Sequence, residues 1–179
     1  MIEIQNNFLD KETHQRLLSI VKHRNFNWQL LPVVDENSTE YQFCHPLYGQ
    51  NYSEDTGLPI LGGNIVSNFY YNFMPLFEEI GIKLMHRVKV NCTCKDSIQR
   101  EFGGWHYDYY WENKPMEELK IAIYYLDTTN GQTLIKENSK IVPINCEANT
   151  LVTFPNTLEH TGTTHTDLPF RYVVNMNYI

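Results

Sequence analysis

The chain has 179 residues, of which 42% are hydrophobic and 20% charged, as in a folded globular protein with enough length for a real core. Its formal net charge of −7 disfavours binding to duplex nucleic acid or to acidic membranes, but it does not exclude a local basic groove. No apolar run reaches membrane-spanning length and no secretory leader pattern opens the chain. We therefore expect a single cytoplasmic domain.

The four cysteines, Cys44, Cys92, Cys94 and Cys146, predict no disulfide framework in a chain of this size. Cys92 and Cys94 would face the same side of a strand, but a zinc knuckle needs a second pair, which is lacking. We expect reduced thiols that serve mainly in packing.

Residues 1–83 predict helical support and loops. We expect Asp10 to be the N-cap of a helix over 11–23. A second helical stretch starts near Ser67, and Pro75 starts a new turn or kinks it. The segment 33–60 is a candidate lid or substrate loop; its polar and aromatic residues include Asp35, Glu36, Asn37, Ser38, His45, Tyr48 and Tyr52.

Residues 84–179 change from a helical period to an alternating one. The candidate strands cover 84–94, 104–111, 119–127, 132–136, 139–143, 149–154, 158–165 and 170–178. Asn130-Gly131 lies between two of them and predicts a hairpin turn, since both residues tolerate positive φ. The predicted fold class is mainly β with N-terminal helices, built on a double-stranded β-helix, or jelly roll, over 84–179.

The last candidate strand alternates clearly. Phe170, Tyr172, Val174, Met176 and Tyr178 share one face, which we expect to pack against the helices. The other face carries Arg171, Val173, Asn175 and Asn177, which we expect to look into a polar cavity. A strand with one solvated face would show the same pattern.

His106, Asp108 and His160 are candidate metal ligands. Residues i and i+2 of a strand project from one face, so His106 and Asp108 can bind the same ion. His160, from a later strand, would complete a facial set of two imidazoles and one carboxylate, the set that suits non-haem Fe(II). Taken singly, each histidine is more simply a hydrogen-bonded core residue, but the order and spacing of the set, with Arg171 eleven residues beyond His160, favour the metal site.

Aromatic residues surround this motif: Trp105, Tyr107, Tyr109, Tyr110 and Trp111. In a strand, Tyr110 would share the face of His106 and Asp108, and the others would point away. They could form a stacking surface at the site, or simply pack the outer face of a sheet, which is the commoner case.

Several further motifs carry a family resemblance. They are Ala122-Ile123-Tyr124-Tyr125-Leu126-Asp127, Gly131-Gln132-Thr133, Phe154, His160-Thr161-Gly162-Thr163-Thr164 and the segment Arg171–Tyr178. With His106-Tyr107-Asp108, they make Val88–Tyr178 resemble the catalytic core of the 2-oxoglutarate/Fe(II)-dependent dioxygenases. The likeness is to the prolyl-4-hydroxylase-like branch, above all to its small bacteriophage-encoded members, which would place the protein in a host cytoplasm.

The resemblance implies roles for particular residues. His106, Asp108 and His160 would hold Fe(II), while Arg171 and Tyr125 would bind the far carboxylate of 2-oxoglutarate. Asn91 stands where relatives often have a tyrosine near the cosubstrate, and Asn175 lies on the face of Arg171. The implied reaction uses O2, with ascorbate in support, to hydroxylate a C–H bond and to convert 2-oxoglutarate to succinate and CO2.

The substrate stays open at this point. A peptide, a free amino acid or a nucleotide are all compatible with the sequence. One alternative is a nucleotide- or nucleic-acid-modifying oxygenase of the same family, although no arginine-rich cluster lies near the motif. Another is a metal-binding jelly-roll module without turnover, which would have no need of a buried arginine anchor.

Overall fold

The computed structural model describes residues 1–33, 40–52, 59–111 and 114–179, with the backbone alone at 50–52, 59–62 and 111. Asp35, Glu36, Asn37 and Ser38 of the candidate lid lie outside the described residues. The two α-helices among them are α1 (Lys11–Val21) and α2 (Met74–Ile80), and a 3₁₀ helix covers Asn68–Phe73. None of the described helices is long and apolar enough to cross a membrane.

The strands in chain order are β1 (Glu3–Asn6), β2 (Gln29–Pro32), β3 (Tyr41–Tyr52), β4 (Pro59–Ile65), β5 (Met85–Cys94), β6 (Glu101–His106), β7 (Tyr110–Trp111), β8 (Lys114–Pro115), β9 (Lys120–Tyr125), β10 (Thr129–Glu137), β11 (Lys140–Cys146), β12 (Thr150–Pro155), β13 (His160–Thr163) and β14 (Phe170–Tyr178). All their pairings are antiparallel.

Two antiparallel sheets form the jelly roll. Within the described residues, the large sheet has the order β1-β12-β9-β14-β5-β3-β2, with β4 paired to β3. The smaller sheet has the order β11-β10-β13-β6. The predicted mainly-β jelly-roll fold is therefore confirmed, and residues before 84 supply strands of the large sheet as well as helices.

The helices begin where the sequence predicts. The Asp10 carboxylate accepts a hydrogen bond from the backbone N–H of Thr13 at 2.9 Å, so it caps α1. Ser67 caps the 3₁₀ helix through the N–H of Phe69. Pro75 lies in the first turn of α2, where a missing N–H costs no hydrogen bond.

The main core lies between the helices and one face of the large sheet. It joins Leu17 and Leu76 of the helices to Val88 of β5 and to Val174 and Met176 of β14, all fully buried. A fully buried aliphatic side chain of this kind stabilises the fold by about 1.5–3 kcal/mol. The apolar face of β14 therefore packs as its alternation predicts, except that Phe170 at its start is exposed.

A second core fills part of the space between the two sheets. Ile121, Ile123 and Tyr125 of β9 contact Ile135 of β10 and Phe154 of β12. The intervening residues of β9 belong to the main core. Because β9 packs against a core on each face, its sequence is a continuous apolar run and does not alternate between polar and apolar residues.

The prediction of a hairpin turn at Asn130-Gly131 is wrong. β9 belongs to the large sheet and β10 to the small one, so the chain crosses between sheets instead of folding back on itself. Asn130 and Gly131 lie inside β10, at a register shift between Thr129 and Gln132. Neither has a positive φ. Asn138 and Ser139 do have positive φ values, and they form the turn of the β10–β11 hairpin.

Cys44, Cys92, Cys94 and Cys146 are all free thiols, as predicted. Three are buried, and Cys94 is exposed. Burial raises the pKa of the Cys92 thiol to about 12, which keeps it protonated and unreactive at neutral pH.

Candidate metal and cosubstrate site

A cavity of about 160 Å³ opens between the two sheets. One wall is the inner face of β5 and β14, whose side chains alternate with those of the main core. The opposite wall comes from β6, β10 and β13 of the smaller sheet. Val33 and Gln42, which stand before and after residues 34–39, also line the cavity.

His106, Asp108 and His160 meet at this cavity. Asp108 Oδ1 lies 3.7 Å from His106 Nε2 and 3.9 Å from His160 Nε2. The ligand atoms of all three residues lie within 4.8 Å of one another. The two imidazoles come together because His106 and His160 are directly opposed across the β6–β13 pairing. The arrangement can bind one divalent ion from one side and leave its other positions open.

Asp108 reaches the cluster by a different route from the one expected. β6 ends at His106, and Asp108 lies in the bend that follows, so the shared-face rule for strands does not apply. Gly103 and Gly104, with φ of 90° and 71°, bend the backbone just before His106. These glycines supply conformations that other residues rarely adopt, which explains the Gly-Gly pair before the motif.

The tautomer of His106 suits metal binding. Its Nδ1–H donates to the carbonyl oxygen of Gly104 at 3.0 Å, which leaves the Nε2 lone pair free to face the cavity. Burial lowers the pKa of His160 to about 4, so this imidazole is neutral at physiological pH. Neutral imidazole is the form that binds a metal ion.

Arg87 and Asn177 hold the Asp108 carboxylate. Asn177 Nδ2 donates to Asp108 Oδ2 at 2.8 Å, and Arg87 Nη2 lies 3.2 Å from Oδ1. Arg87 Nε in turn donates to Asn177 Oδ1 at 2.9 Å, which closes the set. Burial acts to raise the pKa of Asp108, but the positive charge of Arg87 and contributions from His160 and Lys89 outweigh it. The pKa of Asp108 therefore lies well below its ordinary value and the ligand is ionised.

Arg171 lies buried in the cavity wall, near Thr163 and Thr133. Its Nη1 donates to the carbonyl oxygen of Thr163 at 3.2 Å, whereas its Nε has no hydrogen-bond partner among the described residues. The guanidinium also lies 5.7 Å from the ring centre of Tyr125. A buried guanidinium without an anionic partner is costly, so this position favours a ligand carboxylate.

Gly131 makes room for this arginine. A Cβ at residue 131 would lie 3.1 Å from Arg171 Nη1 and 3.2 Å from His165 Cβ, both closer than ordinary packing. The glycine of the Asn-Gly pair is thus required for close approach of a side chain, not for turn geometry.

The remaining predicted cosubstrate residues fall into two groups. Asn91 and Asn175 line the cavity, and the side-chain oxygens of both are buried without a hydrogen-bond donor among the described residues. Tyr125 lies just behind the wall: its hydroxyl donates to Thr133 Oγ1 at 2.8 Å, and it is Thr133 that lines the cavity. Burial raises the pKa of Tyr125 to about 12, so it stays a neutral donor.

Sequence reasoning missed three polar cavity residues of β5, Arg87, Lys89 and Thr93, and it placed Asn177 on the polar face of β14 without foreseeing its contact with Asp108. On β5, Arg87, Lys89, Asn91 and Thr93 line the cavity, while the intervening residues face the main core. This polar–apolar alternation is the same signal that predicted the inner face of β14. It was available in the sequence and could have identified the second polar wall.

The aromatic residues beside the metal motif behave differently from the strand-based prediction. Tyr107, expected to point away, lines the cavity. Tyr110, expected to share the face of the ligands, is half exposed and contacts the Tyr107 ring edge-on. Because β6 ends at His106 and β7 begins only at Tyr110, the alternation assumed for residues 107–111 is interrupted. Tyr109 does pack inward, against His86.

The chain is similar to known proteins in structure, and the sequence comparisons find no match. No family model and no curated protein matches its sequence. Among solved structures, a 2OG-Fe(II) oxygenase family oxidoreductase from Burkholderia pseudomallei matches with a TM-score of 0.72 at 11% identity, over 99% of this chain and 84% of the other.

Two further structures match over 99% of this chain. One is a prolyl hydroxylase from Trichoplax adhaerens in complex with a hypoxia-inducible-factor peptide fragment, with a TM-score of 0.65 at 13% identity and 83% coverage. The other is HygX from Streptomyces hygroscopicus with nickel and 2-oxoglutarate bound, with a TM-score of 0.58 at 10% identity and 82% coverage. The chain thus has the fold of 2-oxoglutarate/Fe(II) oxygenases, at identities that establish the fold only.

Proposed function

We propose that this protein is a 2-oxoglutarate- and Fe(II)-dependent dioxygenase that hydroxylates a C–H bond of an amino-acid or peptidyl substrate. One oxygen atom of O2 would enter the product hydroxyl and the other succinate, with release of CO2. The observation that carries the proposal is the presence, in one cavity, of a His-Asp-His cluster and a buried arginine that forms no ion pair with any described residue.

The residues present fit a ferrous ion. Two neutral imidazoles and one ionised carboxylate bind Fe(II) without saturating it. In this proposal His106, Asp108 and His160 are the ligands, oriented by the Gly104 carbonyl, by Arg87 and by Asn177. Fe(II), when bound, supplies the oxidation chemistry that protein side chains cannot perform.

The same cavity fits a dicarboxylate cosubstrate. Arg171 would take its far carboxylate through the planar guanidinium fork, and Thr133, positioned by Tyr125, would add a hydroxyl contact. Asn91 and Thr93 offer buried polar atoms that lack partners among the described residues. Ile123 and Val173 line the same pocket and would keep water from the reacting groups.

One of the solved structures supports the proposed substrate class. A prolyl hydroxylase with a bound peptide shares this fold, which is why peptidyl and free amino acids come first. The likeness to bacteriophage-encoded members rests on sequence motifs and stays a prediction. A metal-binding module without turnover would leave the burial of Arg171 unexplained.

Two measurements test the proposal. Calorimetry should show Mn(II) binding, followed by 2-oxoglutarate binding only to the Mn(II)-loaded protein. With Fe(II), 2-oxoglutarate and ascorbate under air, slow succinate formation should follow. His106→Ala and Asp108→Ala should abolish both, while His23→Ala, at an exposed histidine, should change neither.

The outcomes separate the alternatives. Cosubstrate binding without any succinate would favour a binding module. Normal succinate formation by His106→Ala or Asp108→Ala would refute the metal assignment.

A further inference from the structure

Lys89 stands between the two ends of the candidate site. On β5 it follows Arg87, which contacts the metal cluster, and precedes Asn91 and Thr93, the latter opposite Arg171. Lys89 itself is opposite Asn175 on β14. Because Arg87, Lys89, Asn91 and Thr93 all lie on β5, this cavity wall presents an ordered row of polar groups from the metal end to the cosubstrate end.

The Lys89 ammonium has no counter-ion in direct contact among the described residues, and its interaction with the Asp108 carboxylate is longer-range. The ammonium forms no hydrogen bond and no ion pair with any residue that the structure describes, although it lines the cavity. Asp108 does not serve this purpose, because Arg87 and Asn177 already hold its two oxygens. Burial, then the charge of Arg87, lower the pKa of Lys89, and the carboxylate of Asp108 offsets this only in part.

The charge balance of the cavity points the same way. Its described lining carries three cations, Arg87, Lys89 and Arg171, against the single carboxylate of Asp108. The protein as a whole has a net charge of −7, so the positive cavity is a local feature. A divalent ion and a doubly charged cosubstrate would cancel one another and leave this excess unchanged. This excess of positive charge favours the binding of a further anion.

The position of Lys89 relative to Arg171 indicates that this anion is not the cosubstrate. Lys89 and Thr93, the partner of Arg171 in register, are separated by four residues, or about 13 Å of extended strand. Arg171 is therefore well placed for one carboxylate of 2-oxoglutarate, and the other would bind the metal. Asn175, opposite Lys89, has a side-chain oxygen that is buried without a donor, which marks a further place for a ligand group.

We infer that Lys89 binds a carboxylate of the substrate and so selects a free amino acid or the C-terminal residue of a peptide. This inference rests on the proposed function and names the substrate class of the same site. Asn175 would accept a hydrogen bond from an N–H of the same substrate, as the adjacent amine or amide of such a molecule allows.

The test uses matched acids and amides. Wild-type protein is loaded with Mn(II) and the inert cosubstrate analogue N-oxalylglycine, and ligand-observed NMR then records which probes are broadened by the nearby paramagnetic ion. The probes are the common L-amino acids, their primary amides, and glycyl dipeptides with a free C-terminus. The variants are Lys89→Met, Lys89→Arg and, as the control at an exposed lysine, Lys140→Met.

We expect some acids or dipeptides to be broadened while their amides are not. This selectivity should persist in Lys89→Arg and Lys140→Met and disappear in Lys89→Met. Whether amino acids or dipeptides respond decides between the two sources of the carboxylate. Broadening of acids and amides alike, no broadened probe, or selectivity retained by Lys89→Met would overturn the inference.

A second arm separates substrate from cosubstrate. The affinity of Mn(II)-loaded Lys89→Met for 2-oxoglutarate should stay within about twofold of wild type; a tenfold loss would assign Lys89 to the cosubstrate and overturn the inference. Failure of wild-type protein to bind Mn(II) or N-oxalylglycine is a different result, because it refutes the proposed function and the inference with it. Thermal melts followed by circular dichroism check that each variant is folded.

Discussion

Among the described residues, Arg171 has the surroundings that most clearly favour binding of an anion. It is buried, its Nε has no partner among the described residues, and its Nη1 donates to the carbonyl oxygens of Thr163 at 3.2 Å and of Gln132 at 3.5 Å. In the proposed function, a carboxylate completes this set through two parallel hydrogen bonds. The guanidinium fork, and not its charge alone, should then set the affinity for the cosubstrate.

We predict that Arg171→Ala weakens 2-oxoglutarate binding about a hundredfold or more, since losing a desolvated charge-assisted contact costs on the order of 3 kcal/mol. Arg171→Lys keeps the charge but loses the fork, and should recover only part of this loss. Calorimetry on Mn(II)-loaded protein gives both affinities. Mn(II) binding itself should be unaffected, and an unchanged 2-oxoglutarate affinity in Arg171→Ala would remove the anchor role.

Arg87 acts on the metal cluster through Asp108, so we expect it to be a positioning residue. Arg87→Met removes the 3.2 Å ion pair and leaves Asn177 as the remaining partner of the carboxylate. Outer contacts of this kind typically contribute tenfold to hundredfold in metal affinity. We predict a loss of about tenfold in Mn(II) affinity by calorimetry, with partial recovery in Arg87→Lys. Equal Mn(II) affinity in Arg87→Met and wild type would contradict the prediction.

At the scale of elements, β5 and β14 form one polar wall of the cavity. They pair over their whole length, and each sends alternate side chains to the main core and to the cavity. In the proposed function, this one pairing therefore fixes the positions of Arg87 beside the metal ligand Asp108, of Lys89 and of the cosubstrate anchor Arg171. The alternation on β14 was predicted correctly because it is regular, and the same reading of β5 would have revealed Arg87 and Lys89.

Other elements could not be predicted from local sequence. Asn130-Gly131 has strong turn propensity, but the pair lies inside β10, where Gly131 leaves space for Arg171, forty residues later. Likewise, Gly103 and Gly104 have positive φ and β6 ends at His106, so no alternation rule places Asp108 and Tyr107. In both cases a tertiary contact or backbone bend overrides the local pattern.

The role of Gly131 gives a prediction at this scale. Gly131→Ala places a methyl group 3.1 Å from the Arg171 guanidinium, so the arginine must shift by a few tenths of an ångström. We predict a weaker affinity for 2-oxoglutarate, with a loss of stability of about 1 kcal/mol from overpacking. Calorimetry and urea denaturation measure the two effects.

Gly81→Ala is the matched control. Gly81 ends α2 with a φ of 73° and has nothing within 4 Å of its would-be Cβ. Alanine there is strained and should also cost about 1 kcal/mol of stability, but it should leave the 2-oxoglutarate affinity unchanged. Equal cosubstrate affinity in the two variants would show that Gly131 has no special relation to Arg171.

For the whole molecule, the buried carboxyl of Asp127 makes stability depend on pH. Its Oδ1 accepts the backbone N–H of Tyr172 at 3.1 Å, where the chain leaves β9 beside β14. Burial raises the pKa of Asp127 from 3.8 to about 6, against the opposing effects of the Tyr172 N–H, Lys22 and Arg171; Asp167 adds to the rise. The folded protein thus holds this proton more tightly than the unfolded chain.

The sign follows from proton linkage. Below about pH 4, Asp127 is protonated in both states; between about pH 4 and 6 the unfolded chain loses the proton first, so stability falls as pH rises, and above pH 6 the cost is constant. A pKa raised by about two corresponds to a loss of stability of at most roughly 3 kcal/mol, of which we expect 1–2 kcal/mol after solvent screening.

Asp127→Asn keeps the acceptor for the Tyr172 N–H but cannot ionise. We predict that it is more stable than wild type by about 1–2 kcal/mol at pH 7.5 and equal to it near pH 4, by urea denaturation across this range. Asp108 and His160 titrate in the opposite sense, but they are present in both proteins and cancel in the difference. A stability difference that is independent of pH would mean that Asp127 carries no such shift in the folded protein.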